Sequence, residues 1–402
     1  MRKMFIRETA LVLAAAVLTA GALASCRTDV SDGDIPYSPY LKIEKRNGVD
    51  TGGGYKDGVY VAYGIYEESI PADGKIVIPD GVELDWTWRN VYDKSDKWLG
   101  SLNGSKVNSI SIPAGASSMT FSNIWFSGID IIYRGSLADW CEHGDLNYDL
   151  RNARSIKIGN GQTDPRKLER ITASDIAGAK RIGYSAFYEC KKLTSVEIPD
   201  SVTEIGGSAF YGCSGLTTLT IGNGVTEIGD YAFYGCSGLT TVTIGNGVKE
   251  IGERAFLNCS GLTTVDIPDS VTKIGDSAFF GCSGLTTLTI GKGVTEIGDD
   301  AFYECSNLKE IAIPDSVKEI GDYAFAWCSG LTTVTIGKGV TKIGEYAFSS
   351  CIALNSVTFA KTDGWYSVDS ADNEEQVDFS NPAENGRQLQ NAYGTYFVRN
   401  TE

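Results

Sequence analysis

Leu216-Thr-Thr-Leu-Thr-Ile-Gly-Asn-Gly-Val-Thr-Glu-Ile-Gly-Asp-Tyr-Ala-Phe-Tyr-Gly-Cys-Ser-Gly238 is one period of this chain, and its reading decides the fold. Leu219 and Ile221 alternate with Thr218 and Thr220, the period-two signature of a strand with one buried face. Gly222-Asn-Gly224 then turns the chain, because such residues tolerate the tight backbone angles of a turn. Val225, Ile228, Ala232 and Phe233 return apolar groups to the same interior. Each unit thus offers its apolar side chains to a core that it cannot close alone.

The period repeats outward in both directions. Phe187, Phe210, Phe233, Phe256, Phe279, Phe302, Phe325 and Phe348 are 23 residues apart, as are the Ile-Gly pairs from Ile182 to Ile343 and the leucines from Leu193 to Leu354. The units run from about Leu168 to Phe359, the first of them irregular. Stacked units supply each other's missing wall, and each buried Leu, Ile or Phe contributes roughly 1.5–3 kcal/mol. Neighbouring strands pair in parallel at roughly 4.8 Å, so the array extends about 40 Å.

The pattern Ala-Phe-x-x-Cys-x-x-Leu-x-x-Val-x-Ile-Pro-x-x-Val-x-x-Ile-Gly resembles the BspA-like leucine-rich-repeat surface proteins, with their 23-residue Treponema-type repeat. Ile131-Ile-Tyr-Arg-Gly-Ser-Leu-Ala-Asp-Trp-Cys141 is similar to a spacer of the same family, and so is Phe359-Ala-Lys-Thr-Asp-Gly-Trp-Tyr366 with Asp378-Phe-Ser-Asn-Pro-Ala383 after it. The resemblance implies a right-handed leucine-rich-repeat solenoid with one parallel β strand per repeat. It also implies surface display and adhesion to host matrix proteins or other bacteria. The family shares no residue-level site that could be carried over.

The flanks divide the rest. Arg2, Lys3 and Arg7 precede an apolar run over residues 10–24, and Leu23-Ala24-Ser25-Cys26 resembles a bacterial lipobox. Residues 1–25 read as a lipoprotein signal peptide, with Cys26 as the lipidation site. Residues 26–34 read as an acidic tether, similar to the surface-export signal of some Gram-negative lipoproteins. The expected localisation is export and lipid anchoring, with the outer membrane facing the cell surface. Residues 35–165 read as a β-rich N-terminal region. Lys75-Ile-Val-Ile-Pro-Asp-Gly-Val82 and Val107-Asn-Ser-Ile-Ser-Ile-Pro113 look like decayed repeat strands, either part of the array or a small β-domain capping it. Residues 166–359 read as the solenoid, and residues 360–402 as a C-terminal cap, since an uncovered apolar end would aggregate.

The formal net charge is −16, and −18 once residues 1–25, which carry +2, are removed. A surface this negative repels phosphate backbones and anionic headgroups. No nucleic-acid partner is expected, and membrane contact is expected only through the anchor. The lone histidine, His143, lies two residues from Cys141 without an orienting partner in view. No Ser-His-Asp set, P-loop or dinucleotide fingerprint is present. The chain reads as a non-enzyme without cofactor, metal or catalytic residues, and as a monomer. Eight cysteines from Cys190 to Cys351 keep the 23-residue spacing. They read as a buried thiol ladder, because parallel Cβ vectors give poor disulfide geometry.

Three sets of binding candidates remain. The outward strand positions Thr218, Thr220, Thr241, Thr243, Thr264, Asp266, Thr287, Thr289, Glu310, Thr333 and Thr335 form a two-column face with a mild interruption at Glu310. It reads either as plain β propensity or as a recognition surface for extracellular proteins. Trp86 and Trp88 share one face of a strand and could stack on glycans, although core packing competes. Ser201, Ser270, Ser277, Ser316 and Ser370 each follow an aspartate and precede an aliphatic residue. These triplets resemble a bacterial O-glycosylation motif, against a plain turn role.

Overall fold

Each 23-residue period forms one coil with three sides, and the coils stack as a parallel-strand β-solenoid. The computed structural model describes residues 164–392 and 394–400 and, before them, residues 41–46, 49–50, 55–56, 59–66, 72, 75–78, 82–84, 90–92, 98–101, 109–112, 130–142 and 154–159. The first side carries strands such as Ser195–Ile198, Thr218–Ile221, Thr241–Thr243 and Thr264–Asp266. Thr218 pairs with Ser195 and Thr241, and Leu219 with Val196 and Val242, each displaced by one period. The second side carries two-residue strands, from Arg181–Ile182 to Lys342–Ile343, in the same parallel register.

The third side is a run of turns with its own ladder. Ser208, Phe210 and Gly212 donate their N–H groups to Asp230, Ala232 and Tyr234 of the next coil at 2.7–2.8 Å. The intervening N–H groups of Ala209, Tyr211 and Cys213 bond within their own coil, at 3.0–3.3 Å. Alternation of this kind places residues in left-handed backbone. Ser208, Tyr231, Arg254 and Tyr323 form one such column, with φ of 54–57°, and Gly235, Asn258, Glu304 and Trp327 another, with φ of 59–68°. Left-handed backbone costs a non-glycine residue roughly 1–2 kcal/mol, which the inter-coil hydrogen bonds offset at roughly 0.5–1.5 kcal/mol each.

The core follows from stacking like on like. Leu216, Leu219, Ile221, Val225, Ile228, Ala232, Phe233 and Cys236 are all buried. The phenylalanine rings from Phe187 to Phe348 form a continuous stack with centroids 5.1–5.3 Å apart. The glycine of each Ile-Gly pair permits this pitch. A Cβ at Gly229 would lie 2.7 Å from the Gly207 nitrogen and the Ile205 carbonyl oxygen, both backbone atoms of the previous coil. The thiols are free and buried. From Cys213 to Cys351, each S–H donates to the carbonyl of the phenylalanine 26 residues earlier, at 3.0–3.5 Å.

Residues before the regular coils build onto the same core. Lys75–Val77, Ser109–Ile112, Asp130–Tyr133 and Ser155–Ile158 form a parallel four-stranded sheet that aligns Ile76, Ile110, Ile131 and Ile156. Leu41–Arg46, Val59–Tyr66, Val82–Leu84, Asn90–Tyr92 and Trp98–Ser101 form a second, mixed sheet. The two interleave along the chain, so no single boundary separates decayed coils from a distinct β unit. Helix α1 (Leu137–Glu142) abuts the first regular coil: Gly183 donates to the Cys141 carbonyl at 2.7 Å, as Gly206 does to Ile182 one coil later. Trp140 donates through Nε1 to the Ala186 carbonyl at 2.9 Å.

At the other end, Thr395–Arg399 pairs antiparallel with Lys342–Ile343 and passes the sheet on to Trp365–Asp369 and Glu374–Val377. Helix α2 (Pro382–Gln390) covers the last long strand. Its Asn385 amide donates to the Val357 and Phe379 carbonyls, and Gln390 to those of Cys351 and Leu354. Side-chain amides thus bond carbonyls of the last coil and of the cap itself.

Two outcomes follow from this core. Gly229→Ala should lower stability by roughly 1–3 kcal/mol, because its Cβ meets backbone that cannot move alone. Gly235→Asn should cost under about 1 kcal/mol, since Asn258 holds the same left-handed place one coil on. Urea midpoints followed by circular dichroism rank the two, and the reverse order would sink the account. Burial holds the thiols of Cys213, Cys236, Cys259, Cys282, Cys305 and Cys351 above the usual thiol range, that of Cys282 at about 12. A proton held more tightly in the folded state stabilises fully below the unfolded thiol pKa of roughly 8.5, and that stability is lost as pH rises above it. The urea midpoint should therefore fall between roughly pH 8.5 and 10. Cys236→Ala should make that fall shallower; an unchanged slope would exclude the thiol as a contributor.

Candidate functional site

The long strands place the outward threonines by alternation. Leu219 and Ile221 point into the core, so Thr218 and Thr220 face solvent. The register aligns Thr218, Thr241, Thr264 and Thr287 in one column, and Thr220 and Thr243 in a second that continues through Asp266 to Thr289. Glu310, Thr333 and Ser356 align further on, as do Ala312, Thr335 and Thr358.

The interruption at Glu310 is deeper than the mild one expected from the sequence. Thr287–Thr289 ends a six-stranded sheet, and Glu310–Ile313 opens a separate three-stranded one. In the preceding coils Thr217, Thr240, Thr263 and Thr286 donate Oγ1 to the carbonyl one coil back at 2.9–3.2 Å. Lys309 takes that place at the break and has no hydroxyl to donate. The threonine face is therefore two faces, residues 218–289 and residues 333–358, with a seam between them.

Threonines on this solenoid divide by what their hydroxyls do. Thr203, Thr226, Thr272, Thr295 and Thr341 also donate Oγ1 to a carbonyl one coil back, at 3.0–3.2 Å. The outward hydroxyls of Thr218, Thr220, Thr241, Thr243, Thr264, Thr287 and Thr289 have no such clamp among the described residues. They form a grid of exposed donors and acceptors, and only Asp266 charges it.

The second strand side is charged instead. Glu204, Glu227, Glu250, Lys273, Glu296, Glu319 and Lys342 form its outward column. Lys273 pairs with Glu296 at 3.6 Å, and Lys342 with Glu319 at 2.5 Å. The third side carries aromatic stacks: Tyr188, Tyr211 and Tyr234 lie 4.9 and 4.5 Å apart, Phe280 and Tyr303 4.6 Å, and Tyr323 and Tyr346 4.8 Å.

The serine candidates divide by burial. The Oγ atoms of Ser270 and Ser316 are enclosed, Ser277 is 7% exposed, and Ser201 donates to the Ala177 carbonyl at 3.1 Å. The turns fold these side chains against the neighbouring coil, which leaves a glycosyltransferase little room to reach them. Ser370 alone of the five is exposed. Cys26, Trp86, Trp88 and His143 lie outside the described residues.

Trp327, Tyr323 and Ile352 are exposed and were not among the sequence candidates. The signal was there in departure from the repeat. Trp327 follows Gly212, Gly235, Asn258, Gly281 and Glu304 in its column, and Ile352 follows a run of serines from Ser214 to Ser329.

The chain is similar to several solved leucine-rich-repeat proteins. A leucine-rich-repeat protein of T. pallidum is 28% identical, over 43% of this chain and 82% of that one, with a TM-score of 0.39. One from Bacteroides ovatus is 21% identical, over 80% and 93%, with a TM-score of 0.37. Another from Eubacterium ventriosum is 17% identical, over 83% and 97%, with a TM-score of 0.42. No curated protein matches the chain. The family model of the BspA type leucine rich repeat region matches in six copies at residues 162–284 and 249–367. That is just over half of the 402 residues, and the chain belongs to the BspA-type leucine-rich-repeat family.

Proposed function

We propose that this chain is a non-catalytic interaction protein of the cell surface that binds protein partners through its repeat array. One observation carries the reading: the outward hydroxyls from Thr218 to Thr289 lack the carbonyl clamps that occupy the threonines of two other columns. A hydroxyl already bonded within its own solenoid has less to offer a ligand. A grid of unengaged ones on a continuous backbone ladder can bond a partner without first breaking internal bonds. The stacked coils hold the grid in place, which limits the ordering cost of association. Family membership supports the same role. The partners are extracellular proteins, from a host matrix or other bacterial surfaces, and the chain is monomeric.

Attachment to the membrane is assigned to a lipid on Cys26, with the chain exported to the outer surface. Among the described residues no helix is long and apolar enough to cross a membrane.

The binding experiment immobilises a panel of matrix proteins and glycans and titrates the full chain. A double Thr220→Arg, Thr243→Arg variant keeps both side chains in solvent and should retain the fold. It should weaken saturable protein binding by roughly tenfold or more. Unchanged protein binding would remove the threonine face from consideration, and binding to a glycan alone would move the function to the region of Trp86 and Trp88. For the anchor, labelled palmitate fed to the expressing cells should enter the wild-type chain and not Cys26→Ala. Equal labelling of both would exclude that cysteine.

A further inference from the structure

The repeats serve as controls for one another. Any column shows what a position needs for folding, so a departure from it needs another reason. Trp327 is the sharpest departure: it is 53% exposed and sits at φ 60°, where three other coils carry glycine. A bulky side chain in left-handed backbone is disfavoured, and this one gains little burial in return. Tyr323, in the same coil, is 39% exposed, and Ile352, in the next, is 82% exposed where six coils carry serine. Three of the five exposed large apolar side chains among the described residues thus lie on the turn side of the last coils, while Tyr184 lies on that side of the first coil and Val77 before the array.

Charge on this side is one-signed. Asp276, Asp299, Asp300, Glu304, Asp322 and Glu345 lie along its outward columns, no Lys or Arg shares those columns from Asp276 to Ser350, and the cations that reach Asp299 and Asp300, Lys342 and Arg254, come from outside that stretch of the side. Burial, with Asp322 and Asp276 nearby, holds the Asp299 carboxyl above the usual range. Burial and the neighbouring aspartates do the same for Asp300.

The same face shows further back what it does with a cation. The Arg254 guanidinium lies over the Tyr231 ring, 5.4 Å from its centroid, and donates to the Tyr231 hydroxyl and the Glu253 carboxylate. Glu345 stands to Tyr323 as Glu253 does to Tyr231, but Tyr346 occupies the place of Arg254. The carboxylate recurs at this end, where the Tyr346 ring, stacked on Tyr323 at 4.8 Å, takes the place that the guanidinium holds on Tyr231.

We propose that the turn side of the last coils, centred on Trp327 with Tyr323 and Ile352, docks an arginine-bearing polypeptide segment. Guanidinium groups meet the carboxylates and aromatic faces there, and apolar stems cover Trp327 and Ile352. This surface is separate from the threonine face.

Fluorescence anisotropy of a labelled oligo-arginine peptide, titrated with the full chain at about 0.15 M salt, tests the assignment. Trp327→Gly changes no charge and restores the residue most common in the column. It should weaken binding roughly tenfold or more, with Tm equal to or above that of the wild type. Asp269→Asn removes a carboxylate at another corner of the coil and should change binding less than about twofold. Absence of wild-type binding overturns the proposal, as does wild-type affinity in Trp327→Gly or an equal loss in Asp269→Asn. A lowered Tm in Trp327→Gly overturns it too, by showing that the indole serves packing. The Thr220→Arg, Thr243→Arg variant should bind the peptide normally, so failure of the threonine-face reading would leave this result standing.

Discussion

The approach of one coil's backbone to the next is the constraint on which the rest depends. At Gly229 and its counterparts the backbone passes so close to the preceding coil that no Cβ fits. Three ladders need that spacing: the long strands, the two-residue strands and the alternating turns of the third side. The phenylalanine stack is set by the same pitch, since rings 5.1–5.3 Å apart leave no room for another group between coils. An insertion inside a coil would break all of these contacts together, which is why the period holds at 23 over so many turns.

Stacking like on like also creates two exposed ends, and each is closed by a different device. The first coil meets a short helix whose Cys141 carbonyl receives the bond that an isoleucine carbonyl would otherwise accept. The last coil meets a helix that presents amides rather than a backbone strand, with Asn385 and Gln390 bonded to carbonyls of the final turn. Phe359, Trp365, Phe379 and Phe397 pack edge to face or stacked beneath it, sealing the apolar core against water. Capping is thus solved in both polar and apolar terms, as a repeat array requires.

Between the caps, the surface separates into sides of different chemistry. The long strands show hydroxyls, the short strands show glutamates interrupted by Lys273 and Lys342, and the turns show acids and aromatics. Because each column holds one residue per coil, a side can change its chemistry along the array without disturbing the core. The break at Lys309 and the aromatic exposure at Trp327 are both such changes. They lie toward the same end of the solenoid.

The sequence by itself determined the period, the strand alternation and the buried set, because identical residues at a fixed spacing can only stack in register. It placed Thr218, Thr220 and their counterparts on one outward face, since alternation leaves a strand residue only two directions. It also set residues 131–141 and 359–383 apart by their resemblance to family spacers, and read residues 360–402 as a C-terminal cap. Tertiary structure alone decided what each surface atom has as a neighbour. Whether a threonine hydroxyl is clamped or unengaged depends on the carbonyl one coil back, 23 residues away. The enclosure of Ser270 and Ser316 depends on how a turn folds against its neighbour, and Ser370 escapes because it lies beyond the stack. The exposure of Trp327 is of the same kind: its residue type is visible in the sequence, but the left-handed backbone that turns it to solvent exists only once the coils are stacked.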